Sequence, residues 1–177
     1  MSQEYIQGAY LDDSRFSDVE FFPIAYIRPS DQIYFEDTFG NARTYGGDRI
    51  HEGTDLMTDD NIRGAYPVVS VCDGTVTHMG WLELGGYRIG IRSSEGVYYY
   101  YAHLYRYDTL LTEGSTVHAG QILGYAGDSG YGQEGTTGQF DVHLHFGIYL
   151  TDENGTEIAI NPYPLLKKLR NKILKYF

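Results

Sequence analysis

The middle of the chain alternates short apolar runs with glycine-containing turns, which is the pattern of antiparallel strands. The apolar runs 67–72 and 75–81 flank the dipeptide Asp73-Gly74, and this arrangement predicts a β-hairpin. Further turns at 85–86 and 94–96 separate the next β-branched and aromatic runs. This succession predicts an antiparallel meander.

Both flanks of this region have a different pattern. Residues 1–36 mix acidic and aromatic side chains without a sustained period, so we interpret them as an N-terminal arm or accessory segment. Within it, 21–26 has the composition of an edge strand that docks on the main domain. Residues 164–177 place leucines, Ile173 and Phe177 near one stripe at helical spacing, which predicts an amphipathic C-terminal helix packed on the domain.

Two glycine-rich stretches, 39–60 and 128–139, interrupt the strand pattern. Glycine, charged and small polar residues dominate them, which is typical of loops. Long loops inside compact domains usually carry function. We therefore expect these stretches to form the walls of a cleft.

The composition agrees with one β-rich domain. The chain has 177 residues, 42% of them hydrophobic and 15% aromatic, with 22 glycines. Its formal net charge of -11 argues against a nucleic-acid binder, which needs a basic patch for phosphates. Cys72 is the only cysteine, so an intramolecular disulfide is excluded. No apolar run is long enough to span a bilayer, and the first residues lack the pattern of a signal peptide.

The candidate chemistry centres on the stretch 140–146. If it is a strand, His143 and His145 project from one face, while Leu144 and Phe146 project from the other. One interpretation is that two imidazoles with an apolar backing supply the first ligands of a metal site. The alternative is a pair of surface histidines on a half-exposed strand, and only partners elsewhere in the chain decide between the two.

Those partners occur in the first glycine-rich stretch, as His51 and Asp55. Gly53 between them disfavours a regular helix, so we place both residues on a loop or bend. Together with the histidine pair they supply the ligand set of an open catalytic zinc site. His103, at the end of the tyrosine-rich run 98–101, either caps a sheet through a hydrogen bond or acts as an acid–base group.

The chain resembles the lysostaphin-type zinc metallopeptidases, the M23 or LytM-like family of peptidoglycan endopeptidases. The matching motifs follow the family's order over about residues 37–163: His51-x-x-x-Asp55, Pro67-Val68-x-Ser70-x-x-Asp73-Gly74-Thr75-Val76, Gly80-Trp81, Tyr101-Ala102-His103-Leu104, Gly120-Gln121-Ile122-x-Gly124, Gly127-x-Ser129-Gly130, His143-Leu144-His145-Phe146 and Asn161-Pro162. The resemblance implies a peptidase domain over 37–163. Its fold would be an antiparallel sheet of the lysostaphin, duplicated-hybrid-motif type, with a loop-lined groove and a short C-terminal helix.

The same resemblance implies the roles of the site residues. It assigns Zn²⁺ three ligands: His51, Asp55 and His145. It makes His103 and His143 catalytic histidines, without deciding which of them is the base. Tyr45 stands where lysostaphin-like members place a tyrosine that faces the developing oxyanion, and a hydroxyl donor there would stabilise it.

The resemblance further implies zinc-dependent hydrolysis of peptide bonds in bacterial peptidoglycan, in either the cross-bridge or the stem peptide. The substrate would place a monomeric enzyme outside the cell or in the cell envelope. The alternative is a non-catalytic scaffold of the cell wall or divisome that activates other hydrolases.

We expect a groove enclosed by loops around 40–60, 82–87, 105–116 and 127–142. The segment 131–142 is longer than the family's usual link.

Overall fold

The computed structural model describes residues 1–177, which contain twelve strands and two short α-helices. The strands are β1 (Ile33–Tyr34), β2 (Ala42–Arg43), β3 (Arg49–Ile50), β4 (Thr54–Thr58), β5 (Pro67–Val69), β6 (Gly74–Leu82), β7 (Gly86–Arg92), β8 (Tyr98–Tyr107), β9 (Thr116–Val117), β10 (Ile122–Ala126), β11 (His143–Thr151) and β12 (Glu157–Ile160). The α-helices are α1 (Gln3–Ile6) and α2 (Tyr163–Leu169), and three 3-10 turns span Ala9–Asp12, Ser14–Phe16 and Arg170–Lys172.

All strand pairs are antiparallel, which confirms the predicted fold class. The main sheet has the order β1-β4-β11-β8-β7-β6-β9, with β10 pairing β5 and β8, and β12 pairing β11. Strands β2 and β3 form a separate hairpin. The predicted turns at 85–86 and 94–96 connect β6 to β7 and β7 to β8. Strand β11, which carries the histidine pair, lies between β4 and β8.

The core lies behind β11 and β8. Leu144 and Phe146 are fully buried, and the Phe146 ring packs against Tyr101 with 5.3 Å between ring centroids. The Tyr101 hydroxyl accepts a hydrogen bond of 3.0 Å from the backbone N–H of Val71, so its one polar group is satisfied inside the core. Large apolar side chains therefore fix the back of the two strands whose front faces carry histidines.

The predicted hairpin between 67–72 and 75–81 is wrong. Strand β5 pairs with β10, whereas β6 pairs with β7 and β9. Beyond β5, the Ser70 N–H donates to the Gln121 carbonyl at 2.9 Å, and the Gly120 N–H donates to the Ser70 carbonyl at 2.8 Å. These long-range bonds satisfy the backbone groups that a local hairpin would have used.

Residues 1–36 are packed on the domain. Their buried side chains include Tyr10 and Phe22, and the Tyr10 hydroxyl donates to the Asn161 carbonyl at 2.8 Å. The predicted edge strand at 21–26 makes only single bridges, one of them between Ile24 and Val68. The first 36 residues thus contribute to the same core as the sheet.

The C-terminal stripe is helical over a shorter range than predicted. Leu165, Leu166 and Leu169 are buried on α2, as the spacing predicts. The helix ends there because the following chain turns and pairs with Tyr26, whose backbone bonds to residues 174 and 176 at 2.9 Å each. No helix in the structure has both the length and the apolar character needed to cross a lipid bilayer.

Candidate metal centre

A groove of about 780 Å³ opens on the front of the sheet. Its floor is formed by β4, β11 and β8, and its walls come from the β2–β3 hairpin, the β6–β7 turn and the segment 131–141. Three of the four predicted loops therefore line it. The fourth, 105–116, does not, because β8 continues to Tyr107 and the chain then leads to β9 at the far edge of the sheet.

Three potential ligand atoms meet on the groove floor. His51 Nε2, Asp55 Oδ1 and His145 Nδ1 are each 3.1 Å from the other two. A tetrahedral zinc ion at about 2.0–2.1 Å from each atom would set them about 3.3 Å apart. The spacing and the donor types, two imidazoles and a carboxylate, therefore fit a zinc site that leaves further coordination positions open.

The sheet register brings the ligands together. His145 on β11 lies directly opposite Asp55 on β4. Asp55 is therefore a strand residue, and its predicted position on a loop or bend is wrong, because the chain enters β4 at Thr54, directly after Gly53. His51 does lie in the link between β3 and β4, as predicted.

Hydrogen bonds orient these ligands. His51 Nδ1 lies 3.0 Å from Thr38 Oγ1 and 3.3 Å from the Thr38 carbonyl, so a proton on Nδ1 leaves Nε2 free to coordinate. Burial raises the pKa of Asp55, but hydrogen bonds with His145 and His51 outweigh it and hold that pKa well below its usual range. The cluster thus offers a carboxylate oxygen and two imidazole nitrogens.

Gly53 makes room for the His145 ring. A Cβ atom at this position would lie 2.6 Å from His145 Cε1 and 2.7 Å from its Nε2. We expect Gly53→Ala to displace the ring and weaken metal affinity by about 10- to 100-fold, as for other residues that orient a ligand. Zinc titration with a competing chelator measures this.

Gly155→Ala is the matched control for that substitution. It strains a turn with φ +81° but has open space around the new methyl group, so it should leave metal affinity unchanged. Equal affinity in Gly53→Ala and the wild type would show that the ring does not need this space.

His103 reaches the groove through an irregularity in β8. Tyr100 and Ala102 line the groove, so strict alternation would turn His103 toward the opposite face. Instead the register between β7 and β8 shifts by one residue at this point, which is a β-bulge, and His103 has a left-handed φ of 62°. The bulge places its imidazole in the groove. Such a conformation in a non-glycine residue is uncommon and concentrates at functional sites.

His103 and His143 both present Nε2 to the groove. Each Nδ1 lies 2.8 Å from a backbone carbonyl, that of Ser129 for His103 and that of Asp141 for His143. Because a carbonyl only accepts, we place the proton on Nδ1, and Nε2 keeps its lone pair. Burial lowers the pKa of His103, and the neighbouring His143 lowers it further. Burial also lowers the pKa of His143, although the charge of Asp55 opposes this effect. Both rings are therefore neutral near pH 7.

These two histidines lie next to the metal-ligand cluster. Their ring centroids are 4.8 Å apart, and His143 Nε2 is 3.7 Å from Asp55 Oδ1. The structure thus brings together all five residues that the sequence analysis assigned to metal binding and acid–base chemistry. Whether each performs its assigned role stays a prediction.

Tyr45 is placed differently. It is not among the groove-lining residues, and its ring stacks on Tyr131 with 4.2 Å between centroids and 2° between planes. Its role as an oxyanion donor stays a prediction. Tyr131 and Phe140, from the long segment 131–142, instead form an aromatic wall, with Phe140 4.5 Å from the His103 ring.

Sequence reasoning predicted two of the loops that form the groove walls but did not single out four side chains in them: Arg43, Arg49, Tyr131 and Phe140. The two arginines lie in a glycine-rich stretch where only His51 and Asp55 stood out. The one signal for these arginines in the sequence was that Arg43 and Arg49 stand on either side of a tight turn.

Comparison with known proteins assigns this arrangement to a class of peptidases. Residues 49–162, more than half of the chain, match Peptidase family M23, and the chain belongs to that family.

Individual relatives extend this comparison. The chain is 44% identical over 133 residues to the L-Ala–D-Glu endopeptidase of Bacillus subtilis, covering 75% of this chain and 39% of that protein. A solved structure of lytM from Ruminococcus gnavus is 52% identical, with a TM-score of 0.83, over 92% of this chain and 64% of the other. The catalytic domain of lysostaphin from Staphylococcus simulans is 29% identical, with a TM-score of 0.57, over 76% and 92% of the two chains.

Proposed function

We propose that this chain is a zinc-dependent endopeptidase that hydrolyses peptide bonds in bacterial peptidoglycan. The observation that carries the proposal is the 3.1 Å triangle of two imidazole nitrogens and a carboxylate oxygen beside His103 and His143. The substrate class comes from the endopeptidase relatives, of which this chain spans only a part. Such a substrate would place the activity outside the cell or in the cell envelope.

In this proposal His51, Asp55 and His145 hold the zinc ion. When bound, zinc supplies Lewis acidity toward the scissile carbonyl and toward water. The neutral imidazoles and the carboxylate form a donor set of net charge -1, so a bound Zn²⁺ ion leaves the site positive. That positive charge favours an anionic transition state over the neutral amide.

His103 and His143 would move the protons. Amide hydrolysis requires a base that takes a proton from the attacking water and an acid that gives a proton to the leaving amine. Each ring has a lone pair on Nε2 and a proton on Nδ1 that is held by a backbone carbonyl. Either Nε2 is therefore ready to accept a proton, and the resulting cation is stabilised by its carbonyl partner.

The scaffold alternative has no support in the site. A binding module needs neither a complete set of metal donors nor two further histidines that point into the same groove. Here every one of these positions is filled. We therefore favour the enzyme.

The decisive experiment is digestion of purified peptidoglycan and cross-linked muropeptides by the zinc-loaded protein over a series of pH values. New amino termini, identified by mass spectrometry, are the expected result, and chelator-treated protein is the control. Folded protein with one zinc per chain that leaves every substrate intact would refute the proposal. The masses also identify the bond, since the relatives include an L-Ala–D-Glu and a glycyl-glycine endopeptidase.

A further inference from the structure

Two arginines face each other on the hairpin that forms one wall of the groove. Arg43 on β2 and Arg49 on β3 are direct register partners in the antiparallel pair. Directly opposite residues project from the same face, and like charges in that arrangement repel. Both side chains line the groove, so the repulsion occurs at the place where a substrate would bind.

The protein compensates this repulsion only in part. Arg43 Nη2 lies 3.4 Å from Asp55 Oδ2, a long contact to a carboxylate whose other oxygen belongs to the metal-ligand triangle. Arg49 forms no ion pair. Its Nε donates to the Tyr45 carbonyl at 3.0 Å, and its Nη2 donates to the Tyr131 hydroxyl at 3.1 Å. These neutral acceptors orient the guanidinium without neutralising it.

The rest of the groove is acidic or apolar away from the histidines. Its other charged residues are Glu52, Asp55 and Asp141, so the only arginine or lysine side chains that line it are the two on the hairpin. In the zinc-loaded site Asp55 is neutralised by the metal, so an anionic group on a substrate that lies away from the metal would be attracted to the hairpin wall and repelled by Glu52 and Asp141. Guanidinium groups suit a carboxylate because their planar N–H donors match its two oxygens.

We propose that Arg43 and Arg49 together bind a free carboxylate on the substrate residue next to the scissile bond. The inference rests on the proposed peptidase function and narrows its substrate class. It selects an acidic stem-type peptide, such as one with an L-Ala–D-Glu bond, over a glycine cross-bridge, which offers no carboxylate beside the bond. The arginine pair is thus a specificity determinant and not part of the proton-transfer machinery.

The test uses two peptides that differ only in one group. Each contains an L-Ala–D-Glu bond, one with a free α-carboxylate on the glutamate and one with the carboxamide. Charged hydrogen bonds contribute about 1.5–3 kcal/mol, so we expect wild-type kcat/KM to favour the carboxylate peptide by about 10- to 150-fold. Arg43→Gln/Arg49→Gln should remove this preference by lowering only the value for the carboxylate peptide.

Two single variants separate specificity from damage to the site. Arg49→Gln should lose part of the preference, and Arg49→Lys should retain more of it because the charge remains. Zinc content is measured in every variant, because Arg43 also contacts Asp55. An unchanged carboxylate-to-carboxamide ratio in the double variant, or no preference in the wild type, would overturn the inference.

A binding measurement separates this inference from the proposed function. Calorimetry of both peptides with His103→Ala, and with the same variant carrying the two glutamine substitutions, reports recognition without turnover. Tighter binding of the carboxylate peptide that depends on the arginines supports the inference even if the wild type cuts no peptidoglycan substrate, in which case the proposed function fails alone. Equal binding of the two peptides would overturn the inference that the arginine pair binds the carboxylate, whichever peptides the wild type cuts.

Discussion

His145→Ala is expected to lose both the bound zinc and the endopeptidase activity. The substitution removes one corner of the 3.1 Å triangle and leaves a single imidazole and one carboxylate to hold the ion. Metal-ion catalysis contributes several kcal/mol to transition-state stabilisation. A loss of about 4 kcal/mol corresponds to a rate decrease of about 1,000-fold, so we expect activity to fall at least that far.

The measurement is zinc content per chain together with the rate of peptide cleavage. His118→Ala is the control, because that side chain is 78% exposed and lies outside the groove. The His145 side chain faces the groove and not the core, so the variant should keep its fold, which circular dichroism checks. A folded His145→Ala protein that retains one tightly bound zinc would remove this histidine from the ligand set.

The face of β11 that carries the histidines could be predicted from the sequence. Strand alternation alone separates His143 and His145 from Leu144 and Phe146, and the structure confirms that the apolar pair is fully buried while both histidines line the groove. This prediction succeeded because it needs only the local period of two. The turns at 85–86 and 94–96 were predicted correctly because they, too, depend only on neighbouring residues, in this case on the glycines.

The position of the His103 side chain could not be predicted from strand alternation. Alternation from Tyr100 and Ala102 would have directed it away from the groove, and the sequence left open whether it caps a sheet or takes part in acid–base chemistry. A bulge of one residue decides on which face the side chain emerges, and so places the imidazole in the groove; its part in acid–base chemistry stays a prediction. The bulge depends on pairing between β7 and β8, which no local sequence pattern encodes.

Long-range pairing also explains the other differences. Strand β5 joins β10, more than fifty residues further along the chain, although the dipeptide Asp73-Gly74 lies only a few residues after it. The opposed pair of Arg43 and Arg49 likewise exists only once β2 and β3 are in register. Motifs whose members come from separate strands could be recognised as a set by family resemblance, but residues outside those motifs required the structure.

His103→Ala and His143→Ala are expected to lose activity while they keep the metal. Neither residue belongs to the triangle, and each imidazole is held through Nδ1 by a backbone carbonyl, which leaves Nε2 for proton transfer. General acid–base catalysis typically contributes about 10²- to 10⁴-fold, so each variant should lose activity by a factor in that range. Zinc content should stay near that of the wild type.

The double variant tests whether the two histidines act in one process. If one takes the proton from water and the other protonates the leaving amine, each single loss already stalls the same reaction, and the combined loss should fall short of the product of the two. His78→Ala serves as the control because that residue lies outside the groove. If His143→Ala lost zinc to the same extent as His145→Ala, the division between a ligand and a proton carrier on β11 would be wrong. His143, whose Nε2 lies 3.7 Å from Asp55 Oδ1, would then be a fourth zinc ligand.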